Sequence, residues 1–345
     1  MHHGSFEARV MAHYDLRIPI IDLSLFECGD PWRDHVAAQI DWAASEFGFF
    51  YIVGHGVDPA HADGLLESSR RFFAQEDKVK RRVEMSFGGR AWRGYFSVGS
   101  ELTSGAPDLK EGIYFGAELA PDNPRVLSGT PLHGQNIFPQ IPGMRDAVLE
   151  YMTTMTGLGH TLMAMIARGL RLPDSYFVDR YTGEPTTLFR IFNYPRRTGA
   201  SIEPDRWGVG AHTDYGLLTM LKQDEIGGLE VKYRDRWLDV PYVPDSFVCN
   251  IGDMLERLTN GRYVSALHRV RSNLENARLS MPFFFDPNFD AMLEPIPGIG
   301  PVVSRPELIE RWDGIDLRAL HGTYGDYLLD KVSKVFPELG QRHLS

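Results

Sequence analysis

Gly210-Ala-His212-Thr-Asp214-Tyr-Gly-Leu-Leu-Thr-Met-Leu-Lys-Gln223 places an imidazole and a carboxylate two positions apart, just before an apolar run of strand length. In an extended segment, or the turn adjoining it, side chains at i and i+2 share a face. His212 and Asp214 therefore offer one nitrogen and one oxygen to the same side. Strand candidates surround them: Thr187–Tyr194, Leu217–Gln223, Leu229–Tyr233, Trp237–Val240, Ser246–Ile251, Leu267–Val270 and Leu279–Phe285. Gly227-Gly228, Gly252-Asp253 and Asn260-Gly261 punctuate them, and Asn-Gly is a strong hairpin signal. Many short strands at regular spacing predict a sandwich or barrel.

Upstream the pattern is mixed. Ile18 to Ile21 reads as a short strand and Gly48 to Val53 as a buried one. Between them Trp32, Val36, Ile40, Ala43, Ala44 and Phe47 recur at helical spacing and predict an amphipathic helix over about 33–47. Asp58-Pro59 supplies an N-cap and a first-turn proline for a second helix reaching about Phe73. Residues 86–142 are rich in Gly, Pro and aromatics with little periodicity, the signature of a lid or pocket wall. After Pro142 a long helix keeps Met144, Val148, Met152, Met155, Leu162, Ile166 and Leu170 on one face. A Met-rich stripe of this kind fills a core, so this helix should brace the sheet. The tail from about Pro306 to Leu339 reads as helical. The halves, 15–140 and 141–345 with strands over about 186–290, share no Pro/Ser linker and are expected to form one compact unit of mixed α/β class.

Composition sets the outer bounds. Apolar residues make up 43% and charged residues 24% of 345, with a formal net charge of −10. These are the proportions of a globular protein with a sizeable core. An acidic balance without a basic stripe argues against nucleic-acid binding, and no run approaches the length of a membrane span. The two cysteines, Cys28 and Cys249, read as reduced thiols in a cytoplasmic protein. His2 and His3 carry no argument.

A third donor, His268, follows Asp214 after fifty-three intervening residues, on the strand Ala266-Leu-His-Arg-Val270. Two imidazoles and one carboxylate on one face of an ion leave up to three open positions, the arrangement of non-haem Fe(II) oxygenases. Alone, His-x-Asp occurs by chance in many proteins, and a buried histidine is ordinarily a hydrogen-bonded core residue. His35, His55, His61, His133, His160 and His321 receive that reading or a surface one. Arg278-Leu-Ser280 shifts the balance. An arginine at the head of a barrel strand can clamp a carboxylate bidentately, and Ser280 on the same side adds a hydroxyl.

With those residues together, the chain resembles the isopenicillin N synthase-like family of 2-oxoglutarate- and Fe(II)-dependent dioxygenases. The resemblance spans about 18–330 and includes Ile18-Pro-Ile-Ile-Asp22, Gly48-Phe-Phe-Tyr-Ile-Val-Gly-His-Gly56, Asp108-Leu-Lys-Glu111, Asn136-Ile-Phe-Pro139, Asn193-Tyr-Pro195, His212-Thr-Asp214, Asn250-Ile-Gly-Asp253, Asn260-Gly261, His268-Arg-Val270 and Arg278-Leu-Ser280. It implies a distorted double-stranded β-helix (jelly roll) flanked by helices, one of them long. It also implies iron on His212, Asp214 and His268, and the 2-oxoglutarate carboxylate on Arg278 and Ser280, with Tyr194 beside the cosubstrate. Asn193 falls near it too, although this chain has Asn-Tyr-Pro where plant-type members have one more tyrosine. The implied reaction consumes O2 and 2-oxoglutarate, releases succinate and CO2, and hydroxylates, desaturates or cyclises a small organic substrate.

Candidate substrate contacts are Tyr95, Glu101, Tyr114, Phe115, Arg190, Tyr215 and Phe284. Arg190 stands out, because a buried arginine needs a carboxylate partner from protein or substrate. Asp108, Lys110 and Glu111 read as a local charged turn. Two other readings stay open on the motif: an Fe(II) oxidase of the same fold that does not use 2-oxoglutarate, as isopenicillin N synthase and aminocyclopropane-carboxylate oxidase do not, and a non-catalytic β-barrel sensor of a small acidic ligand. A zinc hydrolase is disfavoured, since the chain has no His-Glu-x-x-His helix or Cys ligand set.

Overall fold

The computed structural model describes residues 17–196, 207–272, 275–300, 311–337 and 340–341. His2, His3, the Cys28 side chain, and Leu308, Ile309 and Leu339 of the expected tail helix lie outside the described residues.

Among the described residues, two sheets form a jelly-roll core. The larger runs from edge to edge as β1 (Ile20–Asp22), β2 (Phe49–Val53), β10 (Phe247–Ile251), β7 (Leu218–Gln223), β12 (Arg278–Asn288), β5 (Pro185–Tyr194), β4 (Glu111–Gly116) and β3 (Gly94–Phe96). The smaller runs β6 (Val209–His212), β11 (His268–Val270), β8 (Leu229–Tyr233) and β9 (Arg236–Asp239). One cavity is lined from both sheets, by Arg190, Phe192 and Ser280 of the first and Val209, His268 and Leu229 of the second. The sheets therefore face each other across it.

Alternation along β5 and β12 decides what lies on each side. Leu188, Arg190, Phe192 and Tyr194 of β5, with Arg278, Ser280, Pro282 and Phe284 of β12, face the cavity. The interleaved Phe189, Phe283 and Phe285 face away and are fully buried. Each contributes about 1.5–3 kcal/mol through that burial. They pack under helix α3 (Met144–Gly169), where the Tyr151 ring lies 5.0 Å from Phe189 and the His160 ring 4.9 Å from Phe285. Gly159 permits this approach: a Cβ there would stand 2.4 Å from the Phe285 ring. The brace expected from the Met stripe thus lies on the sheet face opposite the cavity.

Helices α1 (Asp30–Glu46) and α2 (Pro59–Phe73) form at the expected places, and Asp58 caps α2 by accepting from the Ala60 N–H at 2.9 Å. Trp32 departs from the expected inward stripe, lying 48% exposed in the first turn of α1. Three further expectations need correction. The aperiodic stretch 86–142 contains β3 and β4, which extend the larger sheet; both strands are wholly buried, so no polar alternation marks them. Asn260-Gly261 is not a hairpin but the left-handed end of the short helix α4 (Asp253–Leu258), with φ of 53° and 80°. Two successive positive-φ residues serve a helix C-terminus as well as a hairpin. The tail is helical over α5 (Tyr324–Val335), while 311–323 carries only one 3-10 turn at Leu317–Ala319. Cys249 is a buried free thiol whose pKa burial pushes up. Among the described residues no helix is long and apolar enough to cross a membrane.

Candidate active site

His212 ends β6 and pairs directly with His268 of β11, so register alone sets the two rings side by side, 4.2 Å between centroids. Each ring is held through Nδ1 by a backbone carbonyl two residues before it: Gly210 at 2.8 Å and Ala266 at 3.1 Å. That leaves both Nε2 atoms facing Asp214 Oδ1, at 3.8 Å and 3.6 Å. The other carboxylate oxygen, Oδ2, accepts from Thr219 Oγ1 at 2.6 Å and Asn250 Nδ2 at 2.7 Å. Three ligand atoms, one from each residue, lie within 4.8 Å of one another, a set able to hold one ion.

Electrostatics suit a cation there. Burial, then the neighbouring His268, pushes the His212 imidazolium pKa down to about 3, so the ring is a neutral donor. Burial acts to raise the Asp214 carboxyl, but His268, His212, Asn250 and Thr219 together hold it below the usual carboxylate range. A neutral imidazole and an ionised carboxylate are the forms that ligate metals. Gly216, just beyond the triad's loop, admits the Asp286 carboxylate so closely that a Cβ would lie 1.4 Å from its Oδ1.

In the same cavity but on the larger sheet, Arg278 pairs across strands with Tyr194, and its guanidinium carbon stands 4.8 Å from that ring. The side chain is 1% exposed. Its Nη2 reaches Gln223 Oε1 at 3.4 Å, while Nε and Nη1 have no partner. Buried guanidinium donors without acceptors are rare and costly. A carboxylate entering the cavity satisfies them, and Ser280, 2% exposed and two residues along, lines the same cavity.

Residues 18–141 match the family described as non-haem dioxygenase in morphine synthesis N-terminal, and 186–287 match the 2OG-Fe(II) oxygenase superfamily. This chain belongs to the 2-oxoglutarate- and Fe(II)-dependent oxygenases. A probable iron/ascorbate oxidoreductase of Dictyostelium discoideum is 44% identical over 94% of this chain and 96% of its own length. A 1-aminocyclopropane-1-carboxylate oxidase of the same organism is 35% identical over 93% of this chain and 96% of its own. The crystal structure of a full-length Neurospora crassa protein in complex with alpha-KG and thymine superposes with a TM-score of 0.76 at 26% identity, covering 92% of this chain and 96% of that one. The enzyme thus uses Fe(II), 2-oxoglutarate and O2, and its homologues act on small organic substrates.

Among the candidate substrate contacts of this oxygenase, Glu101, Arg190, Tyr215 and Phe284 line the cavity. Tyr95 and Phe115 do not, nor does Asn193, expected near the cosubstrate, and strand alternation is the reason. Asn193 lies on the face of β5 opposite Tyr194 and donates to Glu111 Oε1 at 2.8 Å, away from the cosubstrate position expected for it. Phe115 on β4 stacks between Phe138 and Phe189 in the core. Tyr95 pairs with Ile113 and donates to Glu111 Oε2 at 2.6 Å. Tyr114 donates to Glu101 and stacks on Arg190.

Asp108, Lys110 and Glu111, expected as a local charged turn, are parts of buried networks. Lys110 Nζ lies 2.6 Å from Asp108 Oδ2 and 2.8 Å from Glu101 Oε2, at the cavity wall. Burial lowers its ammonium pKa, but Asp108 and Glu101 hold it above the usual range. Glu111 binds Lys80 at 2.7 Å on the far side. The Arg190 guanidinium carbon stands over the Tyr114 and Phe284 rings, 4.1 Å and 4.8 Å from their centroids, with Nη1 3.6 Å from Glu101 Oε1 and Nε without a partner. Thr219, Asn250, Lys110 and Asp286 also line the cavity. The Asn250 contact with Asp214 spans 36 residues of sequence, which no local pattern marks.

Proposed function

We propose that His212, Asp214 and His268 hold the Fe(II), that Arg278 and Ser280 grip the far carboxylate of 2-oxoglutarate beside Tyr194, and that the Arg190 end of the cavity receives the organic substrate. The observation that carries this reading is the meeting of two features around one cavity: two Nε2 atoms converging on Asp214 Oδ1, and an Arg278 fork with two orphaned N–H groups. With O2 and 2-oxoglutarate, bound iron supplies the oxidation of a substrate C–H bond, releasing succinate and CO2.

The protein's part is orientation and exclusion of water. The Gly210 and Ala266 carbonyls fix both imidazole rings, as outer partners of metal-bound histidines commonly do. Thr219 and Asn250 occupy one oxygen of Asp214, so the other is the one turned to the metal. Phe49, Val209, Leu229 and Val270 wall the site with hydrocarbon and keep water from competing there. At the substrate end, Arg190 offers a planar donor edge fixed by two rings, while Glu101 and Tyr215 add polar contacts and Phe284 an apolar one. That lining supports a small, partly apolar organic substrate carrying a hydrogen-bond acceptor. The acidic net charge argues against nucleic-acid binding, the two lone cysteines support a cytoplasmic enzyme, and 15–140 and 141–345 are read as one unit.

Anaerobic Fe(II) and 2-oxoglutarate should give a weak visible charge-transfer band with the purified protein. His268→Ala should abolish it; a variant that keeps the band would overturn the ligand assignment.

A further inference from the structure

Both metal-binding segments are held from behind by α4, whose first-turn carboxylates Asp253 and Glu256 are three residues apart and so share a helix face. Asp253 is fully buried. Its N–H donates to the Asp214 carbonyl at 2.8 Å, and its Oδ2 accepts at 3.2 Å from the hydroxyl of Thr213, the residue between His212 and Asp214. Glu256 Oε2 accepts from the Ser265 N–H at 2.7 Å. Ser265 precedes Ala266, whose carbonyl holds the His268 ring. One carboxylate therefore fixes the His-Thr-Asp loop and the other fixes the approach to His268.

The C-terminal segment reaches the same two carboxylates. Arg311 places Nε 3.2 Å and Nη2 3.1 Å from Asp253 Oδ1, and Nη2 also lies 3.3 Å from Glu256 Oε1. Tyr327 of α5 donates to Asp253 Oδ2 at 2.8 Å. The next residue, Leu328, lines the cavity. Without Arg311, Asp253 is a buried carboxylate left with hydroxyl partners and, among the described residues, no cationic one, a costly state that favours its reorientation. Reorientation loosens Thr213, and Glu256 loses its clamp at the same moment.

We infer that Arg311 is a positioning residue for the metal centre, assisted by Tyr327, so that docking of the C-terminal segment and metal binding are coupled through Asp253 and Glu256. This rests on the ligand set proposed above. Coupling of this kind is reciprocal: if docking strengthens metal binding, bound metal strengthens docking by the same factor.

The test uses the full chain and Co(II), whose visible spectrum reports ligand geometry without turnover. Arg311→Met, folded and melting cooperatively, should bind Co(II) roughly tenfold or more weakly with an altered spectrum, as loss of outer-shell partners does elsewhere. Arg311→Lys should recover part of the affinity, and Tyr327→Phe should weaken it about threefold. In the wild type, Co(II) should slow proteolysis within 311–335, and Tyr327→Phe should reduce that protection. A folded Arg311→Met with wild-type Co(II) affinity and spectrum overturns the coupling. If Arg311→Met does not fold, Tyr327→Phe decides: unchanged affinity and unchanged protection overturn it. His268→Ala separates the two levels. If it binds Co(II) like the wild type, the ligand assignment fails and the coupling with it. If it loses Co(II) while Arg311→Met does not, the coupling alone fails.

Discussion

Replacing Arg278 by glutamine tests the cosubstrate site most sharply. The guanidinium is 1% exposed, and among the described residues its one protein hydrogen bond is long, 3.4 Å to Gln223, with Nε and Nη1 unpartnered. Two charge-assisted bonds to a carboxylate are therefore in reserve for the ligand. Removing one partner of a buried ion pair costs about 3–5 kcal/mol, and a tenfold change in affinity corresponds to about 1.4 kcal/mol. Glutamine restores part of the loss through its amide, so the dissociation constant for 2-oxoglutarate should rise roughly 10²- to 10³-fold. Titration calorimetry of 2-oxoglutarate into the anaerobic Fe(II) protein measures this directly.

The ligand-free protein supplies an opposite sign. There Arg278 is a buried charge with no carboxylate in ion-pair contact among the described residues, Asp224 acting on it only from farther off, so Arg278→Gln should melt no lower than the wild type. Adding 2-oxoglutarate at about a hundred times the wild-type Kd should stabilise the wild type by about 2.7 kcal/mol and barely move the variant. A dissociation constant within threefold of the wild type would refute the clamp.

Asn193→Ala should leave the KM for 2-oxoglutarate unchanged, since its amide serves Glu111, and lower stability by about 1–2 kcal/mol; a tenfold KM rise would return Asn193 to the cosubstrate. Arg190→Met should raise the KM for substrate while substrate-free 2-oxoglutarate turnover persists. Arg190→Lys should not rescue it, because an ammonium cannot stack between Tyr114 and Phe284 as a planar guanidinium does. Equal loss of substrate-free turnover would place Arg190 in the cosubstrate site instead. Burial raises the Asp286 carboxyl to about 7, against the hydrogen bond from Tyr324 at 2.5 Å. The folded state thus binds this proton more tightly than the unfolded chain, so its contribution is greatest below about pH 4 and is lost as pH climbs to 7, by up to about 4 kcal/mol. Asp286→Asn keeps an acceptor for Tyr324 without the titration, and should flatten the metal-free stability profile between pH 4 and 7; an unaltered slope in urea titrations counts against it.

Much of the catalytic half was legible because its signals are local. Short apolar runs bounded by turn residues located β7, β8 and β10, and the Met stripe located α3, since each pattern needs only neighbouring residues. His212 and Asp214 could be paired from spacing alone. Asn193 was misplaced because the motif gives adjacency, whereas pleating sends Asn193 and Tyr194 to opposite faces. The place of Lys110 at the cavity wall was not legible from a local charged turn, because its burial depends on Glu101 and Asp108 being folded around it. β3 and β4 were hidden because β3 is three residues long and β4 is interrupted by Gly112 and Gly116, so neither makes an apolar run distinct from its Gly- and aromatic-rich surroundings.

The sequence by itself determined the chemistry on offer: two imidazoles, a carboxylate and an Arg-x-Ser pair, on strands short enough to make a barrel. Only the tertiary structure decided which atoms meet. The β6–β11 register sets His268 beside His212, although they are far apart in sequence. The β7–β10 register sets Thr219 opposite Asn250, so both reach Asp214 Oδ2. Arg311 meets Asp253 and Glu256 because the chain folds back over α4. Those contacts are long-range, and their energies depend on burial that no local window of sequence contains.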